Sequence, residues 1–261
     1  MLTCILRPFA MPSLTVNGID VFYRDEGAGD PIIFGHCSTA TSGQWRHAIE
    51  RFSDRYRCLA PDHLGYGRSG ACDGEGSLID LEIAVVEALL DRVDGPAHFV
   101  GHSFGGAVLI RTAIREQERV RSLTAIEPIL FHLLESHGWS SEYEEIRAVA
   151  GRAVELARCG DLEDAARGFI DYWSGPGAFD RMPADRRAAT IKGMRKVRFE
   201  WEIGFEPKGA TAEDLAQLDF PIQLVAGANT TRVGSAVTHV LRRVWPSAAY
   251  IEVPGAGHMA P

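Results

Sequence analysis

Ala97-His98-Phe99-Val100-Gly101-His102-Ser103-Phe104-Gly105-Gly106 decides the fold. Ala97 to Val100 is a short apolar run followed by a loop, the pattern of a strand buried on both faces. Phe104 to Gln117 carries apolar residues at helical spacing. Between them stands G-x-S-x-G, in the strand, sharp turn and helix context that this motif requires. A strained turn would hold the Ser103 oxygen above the strand end, and the flanking glycines let strand and helix backbones come close. The N-terminus of the following helix favours developing negative charge. The bland alternative is a glycine-rich turn that merely joins a strand to a helix; the context favours a nucleophile.

Outward from this stretch the same alternation repeats. Ile32 to Phe34, Cys58 to Ala60, Leu123 to Ile126, Ile222 to Val225 and Tyr250 to Val253 are further short apolar runs, expected to be strands buried on both faces. Ser77 to Asp91 and Arg232 to Val244 show helical spacing. Asn17-Gly18 inside Leu14 to Tyr23 predicts a hairpin at a sheet edge. The fold class is therefore α/β, a mostly parallel doubly wound sheet flanked by helices. From Pro128 the alternation stops, and charged, aromatic-rich helical periodicity runs to Glu206. This predicts a helical cap over residues 128–206 inserted into a core formed by 13–127 and 207–261. Residues 1–12 read as a disordered extension, with Met11 as an alternative start. No internal repeat is present.

Composition narrows the classes of function. The 261 residues are 46% hydrophobic and 24% charged, as in a globular protein with one large core. A formal net charge of -8 with no basic stripe argues against nucleic acid and anionic membranes as partners. Cys4, Cys37, Cys58, Cys72 and Cys159 are scattered and lack CxxC spacing, which disfavours a disulfide framework or structural zinc and points to a reducing cytoplasm. No apolar run approaches the ~20 residues needed to span a bilayer. The N-terminus lacks a signal-peptide pattern.

Together with the serine turn, Phe34-Gly35-His36-Cys37-Ser38 and Pro61-Asp62-His63-Leu64-Gly65-Tyr66-Gly67-Arg68-Ser69 give a dense resemblance to the α/β-hydrolase superfamily, from about Ser13 to the C-terminus. The first segment resembles the family's His-Gly loop after its third strand. The second resembles its Asp-x-x-Gly-x-Gly-x-Ser turn and is read as structural. Pro254-Gly255-Ala256-Gly257-His258-Met259 resembles the loop of the catalytic histidine. His258, last in chain order, is then the general base, since imidazole titrates near neutrality. Most of His36, His47, His63, His98, His102, His132, His137 and His239 are expected to be ordinary surface residues.

The resemblance implies an acid too, and here the sequence departs from the pattern. After Val225, where the family usually has aspartate, the chain reads Ala226-Gly227-Ala228-Asn229-Thr230-Thr231. Some members, certain haloalkane dehalogenases and lipases among them, carry the acid after the strand before the cap. There this chain has Glu127, the candidate for orienting His258; the alternative is a carboxylate that salt-bridges the start of the cap. Asp219 and Asp62 are weaker rivals.

By the same resemblance, the backbone N–H groups of Ser38 and Phe104 form the oxyanion hole. Cys37 stands where the family usually has glycine, either lining the pocket or buried as a small hydrophobe. The sequence ends at Pro261, where the family continues into a helix, so His258 is expected on a segment liable to fray. Nine cap aromatics, from Phe131 to Trp201, are expected to be mostly cap core and to favour a small apolar acyl substrate.

No metal or organic cofactor is implied, because a Ser/His/Glu triad generates its own nucleophile. The expected function is a serine hydrolase of a carboxylic ester or related acyl bond. A carbon–carbon bond hydrolase of the meta-cleavage product type, or a non-catalytic ligand-binding protein of the same fold, remains open. Serine at the turn speaks against dehalogenase and epoxide hydrolase chemistry, whose enzymes use aspartate there.

Overall fold

Strands and helices alternate along a computed structural model that describes residues 12–71 and 77–259. The strands are β1 (Ser13–Val16), β2 (Ile19–Glu26), β3 (Asp30–Gly35), β4 (Tyr56–Pro61), β5 (Ala97–His102), β6 (Val120–Ile126), β7 (Ile222–Gly227) and β8 (Ala249–Val253). The helices of the sheet layer are α1 (Arg46–Phe52), α2 (Leu78–Leu90) and α3 (Phe104–Arg115). Between β6 and β7 come α4 (His132–Ser136), α5 (Ser140–Cys159), α6 (Leu162–Ser174), α7 (Ala178–Arg181), α8 (Ala184–Phe205) and α9 (Ala212–Ala216); α10 (Arg232–Val244) follows β7. The proposed 1–12 extension falls, except for Pro12, outside the described residues.

One eight-stranded sheet has the order β1-β2-β4-β3-β5-β6-β7-β8. From β4 to β8 every pairing is parallel, and only β1 and β2 run antiparallel to their neighbours. Asn17 and Gly18, with φ of 49° and 80°, make the expected turn between β1 and β2. Successive residues of the central strands enter different cores: Ile33 and Leu59 pack under α2 and α3, while Ile32, Phe34, Cys58 and Ala60 pack around Trp45 and Ile49. That two-sided burial is why these strands read as continuous apolar runs.

Two expectations are corrected. Tyr250 to Val253 is not buried on both faces, since β8 is an edge strand and Ile251 is 45% exposed. His36, His63 and His102 are not at the surface; all three are buried, because their rings bridge loops that carry unpaired backbone groups.

The helical insertion is fastened to the core by a buried cation. Arg111 of α3 donates from Nη2 to the carbonyls of Ile203 (2.9 Å) and Glu206 (2.8 Å), capping the C-terminal end of α8, which has no intrahelical donors left. Burial pulls the Arg111 guanidinium down to about 10. Among the described residues, no helix is long and apolar enough to cross a membrane.

Candidate active site

Ser103 is the hinge between β5 and α3, with φ 53° and ψ −116°, a conformation that side chains other than glycine rarely adopt. The strain is held from both sides. Ser103 N–H donates to the Ile126 carbonyl at 2.9 Å, and its own carbonyl accepts from Ala107 and Ile129. The glycines have a spatial reason: a Cβ on Gly105 would lie 2.3 Å from the Gly35 carbonyl carbon, and one on Gly101 2.6 Å from Gly106 Cα. Helix and strands therefore meet at backbone contact, which pushes Ser103 out beyond the sheet end.

Three side chains converge there from β5, β6 and the loop after β8. His258 Nε2 lies 3.1 Å from Ser103 Oγ, and His258 Nδ1 lies 2.6 Å from Glu127 Oε2. Since Glu127 accepts, Nδ1 carries the proton and Nε2 is free to take the seryl hydrogen. The ring of His258 is buried and lies tilted against Trp173 of α6, with centroids 4.2 Å apart.

Glu127 ends β6 in a positive-φ conformation (42°), its N–H bonded to the Val225 carbonyl. Its carboxylate accepts from His258, from Thr230 Oγ1 (2.5 Å) and from the Gly227 N–H (2.8 Å). It also lies against the first turn of α10, where a Cβ on Gly234 would come within 3.0 Å of Oε2. Burial by itself would raise this carboxyl, but the hydrogen bonds from His258, Thr230 and Gly227 hold it below the ordinary carboxylate range. The rivals lie elsewhere. Asp62 accepts the Arg68 N–H within its own turn and the Ser42 N–H from the segment after β3, and Asp219 is exposed.

A second chain of hydrogen bonds links the Cys37–Ser38 loop to the His258 loop. Cys37 N–H donates to Gln44 Oε1 (3.0 Å), Gln44 Nε2 to His102 Nδ1 (3.0 Å), and His102 Nε2 to the His258 carbonyl (2.8 Å). His102 accepts at Nδ1 and donates at Nε2 in this chain, which requires a neutral ring. Burial, then the nearby His258, pulls His102 down to about 3, in agreement. His36 pins the other side of that loop, donating from Nδ1 to the Cys37 carbonyl while Nε2 accepts the His63 N–H, each at 2.8 Å.

Ser38 lines a narrow cavity of about 20 Å3 with Ser103, Ile129, Phe169, Trp173, Val197, Glu200 and Trp201. Phe104 opens α3, so its N–H is one of those at a helix start without an intrahelical partner. Cys37 is buried, and burial followed by the Glu200 charge pushes its thiol up to about 12. Among the described residues, no group of three or more His, Cys, Asp and Glu side chains is placed to hold a metal.

Thr230, Gln44, His102 and Glu200 were not foreseen. Thr230 stands in the very loop that lacks the usual acid. Glu200 could have been noticed as a carboxylate on the helical stripe Gly193, Val197, Gly204. Gln44 and His102 leave no signal in sequence spacing.

A nucleophile elbow, a buried histidine and a carboxylate at the ends of parallel strands define a class of hydrolase folds, and comparison with known proteins places the chain within it. A family model described as alpha/beta hydrolase fold matches residues 30–261, and the chain belongs to that family. A cis-3-alkyl-4-alkyloxetan-2-one decarboxylase of Shewanella oneidensis is 32% identical over 132 residues, covering 49% of this chain and 42% of that one. A 2-hydroxy-6-oxo-2,4-heptadienoate hydrolase of Pseudomonas putida is 37% identical over 115 residues, covering 41% and 40%. The chain thus matches less than half the length of these curated relatives. The crystal structure of a hydrolase from Pseudomonas aeruginosa PA01 superimposes with a TM-score of 0.75 at 21% identity, over 97% of this chain and 93% of that one, a likeness of fold.

Proposed function

We propose that the chain is a serine hydrolase that cleaves a carboxylic ester or related acyl bond of a small, largely apolar substrate through an acyl-enzyme. The observation that carries this reading is the unbroken run Ser103 Oγ, His258 Nε2, His258 Nδ1, Glu127 Oε2.

In the first half-reaction Ser103 Oγ attacks the acyl carbon while His258 Nε2 takes its proton. The charge that develops on the carbonyl oxygen is received by the Phe104 and Ser38 N–H groups. Glu127, kept ionised by three donors, stabilises the imidazolium without taking its proton. His258 then protonates the leaving alcohol. In the second half-reaction it deprotonates a water that attacks the acyl carbon, and the acid departs with the Ser103 hydroxyl restored. Trp173, Phe169 and Trp201 keep the cavity apolar, which strengthens each of these electrostatic contacts. Residues 128–206 act as the cap and residues 13–127 with 207–261 as the catalytic core. The cavity beside Ser103 is narrow, about 20 Å3 and room for little more than a water molecule between the aromatic side chains, which favours short acyl chains.

Similarity to the Pseudomonas putida enzyme raises a second reading, hydrolysis of a carbon–carbon bond with the same triad. A carboxylate-bearing dienoate fits this cavity poorly. Its lining includes Glu200 and no cationic side chain. Contact between His258 and Glu127 likewise favours an enzyme over a ligand-binding protein that has lost its acid.

The test is hydrolysis of p-nitrophenyl acetate, butyrate and octanoate by wild type, Ser103→Ala and Glu127→Gln, each checked for folding by circular dichroism. Turnover should be highest with the two short esters, vanish in Ser103→Ala, and fall by about 10²- to 10⁴-fold in Glu127→Gln. Unchanged turnover in folded Ser103→Ala would remove the proposal. Cleavage of 2-hydroxy-6-oxo-2,4-heptadienoate in preference to all three esters would promote the second reading.

A further inference from the structure

Glu200 of α8 is a carboxylate in a place where the proposed chemistry has no use for one. It is 1% exposed and lines the same cavity as Ser103 and Ser38. Neither of its oxygens makes a hydrogen bond of normal geometry. Lys196, one turn earlier on α8, brings Nζ to 3.1 Å from Oε1 as an ion pair. The same Nζ donates to Glu82 Oε1 at 2.8 Å and sits over the rings of Tyr66 (4.2 Å) and Phe104 (4.6 Å). Glu82 in turn holds the Leu64 N–H and His63 Nδ1.

The arrangement is lopsided. Glu82 accepts three hydrogen bonds, from Lys196, His63 Nδ1 and the Leu64 N–H, and is the closer of the two carboxylates to Lys196 Nζ. Two carboxylates share the Lys196 ammonium in this buried cluster, and the other donor close to Glu200 is the Tyr66 hydroxyl, which makes no hydrogen bond of normal geometry. Ionic groups are retained in an interior only when their remaining lone pairs are satisfied. The charge is felt nearby: after burial, Glu200 is the next cause that raises both the Cys37 thiol and the Tyr66 hydroxyl.

We infer that Glu200 is a specificity-determining residue that accepts a hydrogen bond from a neutral donor, a hydroxyl or amide N–H, on the otherwise apolar substrate. This rests on the hydrolase reading and narrows its substrate class. A neutral donor fits better than a cation, because Lys196 already supplies the nearest positive charge and a second ammonium beside it would be repelled. An apolar substrate would seal in a carboxylate whose oxygens make no hydrogen bond of normal geometry, the situation in which polar sites discriminate most strongly against an analogue that lacks the donor.

Binding to the Ser103→Ala protein, measured by titration calorimetry, reads this without requiring turnover. Two matched pairs place the donor in either half of an ester: phenyl 3-hydroxybutanoate against phenyl 3-methylbutanoate, and 3-(hydroxymethyl)phenyl acetate against 3-ethylphenyl acetate. In at least one pair the hydroxyl compound should bind at least about tenfold tighter, the range of a hydrogen bond to a charged acceptor. Adding Glu200→Leu should reverse that preference. Glu200→Gln keeps an acceptor oxygen and should leave only a few-fold preference, which serves if the leucine variant does not fold.

Tighter binding of the apolar member in both pairs overturns the inference, as does a preference that neither Glu200 variant changes. Hydrolysis of the same four esters by the Ser103 protein reports separately on the hydrolase reading.

Discussion

Thr230→Val is the most informative single change outside the reacting groups. Valine has nearly the shape of threonine, so what is lost is the 2.5 Å hydrogen bond from Oγ1 to Glu127 Oε2. A hydrogen bond to a charged group contributes about 1.5–3 kcal/mol, and a neutral one about 0.5–1.5 kcal/mol. The Glu127 carboxyl is held below its ordinary value of 4.5. Its contribution to stability is therefore complete above that value and is lost as pH falls through the folded-state value.

Thr230→Val should accordingly destabilise by about 1.5–3 kcal/mol at pH 7, narrowing toward about 1 kcal/mol as the carboxyl protonates. Urea unfolding of both proteins, from pH 7 down to the lowest pH at which both fold, measures the gap. Ester turnover should fall less than in Glu127→Gln, because His258 and the Gly227 N–H still hold the carboxylate. A gap under about 0.5 kcal/mol at pH 7, or one that widens on acidification, would refute the view that this hydroxyl supports an ionised acid.

Three other outcomes follow from the same geometry. Because Thr230 already touches the Glu127 carboxylate, Thr230→Asp introduced into Glu127→Gln should restore part of the lost ester turnover, whereas Thr230→Asn should not. Gly105→Ala would set a Cβ 2.3 Å from the Gly35 carbonyl carbon, against the backbone of Gly35 and His36; it should destabilise by more than about 3 kcal/mol, read as a thermal midpoint lowered by many degrees. His102 is lowered from 6.5 to about 3 in the folded protein, so its share of stability is present above pH 6.5 and lost as pH falls toward 3. Urea stability should drop by on the order of 2–3 kcal/mol from pH 6.5 to 4.5, and His102→Gln should flatten that slope.

The central strands were legible because burial on both faces leaves an apolar run with no polar interruption, as in Ile32 to Phe34 or Leu123 to Ile126. Tyr250 to Val253 has the same local look but pairs on one side with β7, and local composition does not record how many neighbours a strand has. Ser103 was legible since its turn demands glycines at fixed offsets. Glu127 could be reached only through resemblance, because its meeting with His258 spans 131 positions of chain. Buried His36, His63 and His102 were missed for the same reason: their partners lie on segments brought together only by the folded sheet and its helices. Glu200 was hidden by the rule that places carboxylates at the surface, a rule functional pockets break.

The acyl-enzyme is the central claim, and rapid-mixing kinetics with p-nitrophenyl acetate tests it most directly when the quenched protein is also weighed by mass spectrometry. The account predicts a p-nitrophenol burst that approaches one equivalent per chain when deacylation is slow, with an acetyl group on the peptide that contains Ser103 and none in Ser103→Ala. Turnover with no acyl adduct under any quench, or an adduct on another residue that persists in Ser103→Ala, would contradict it.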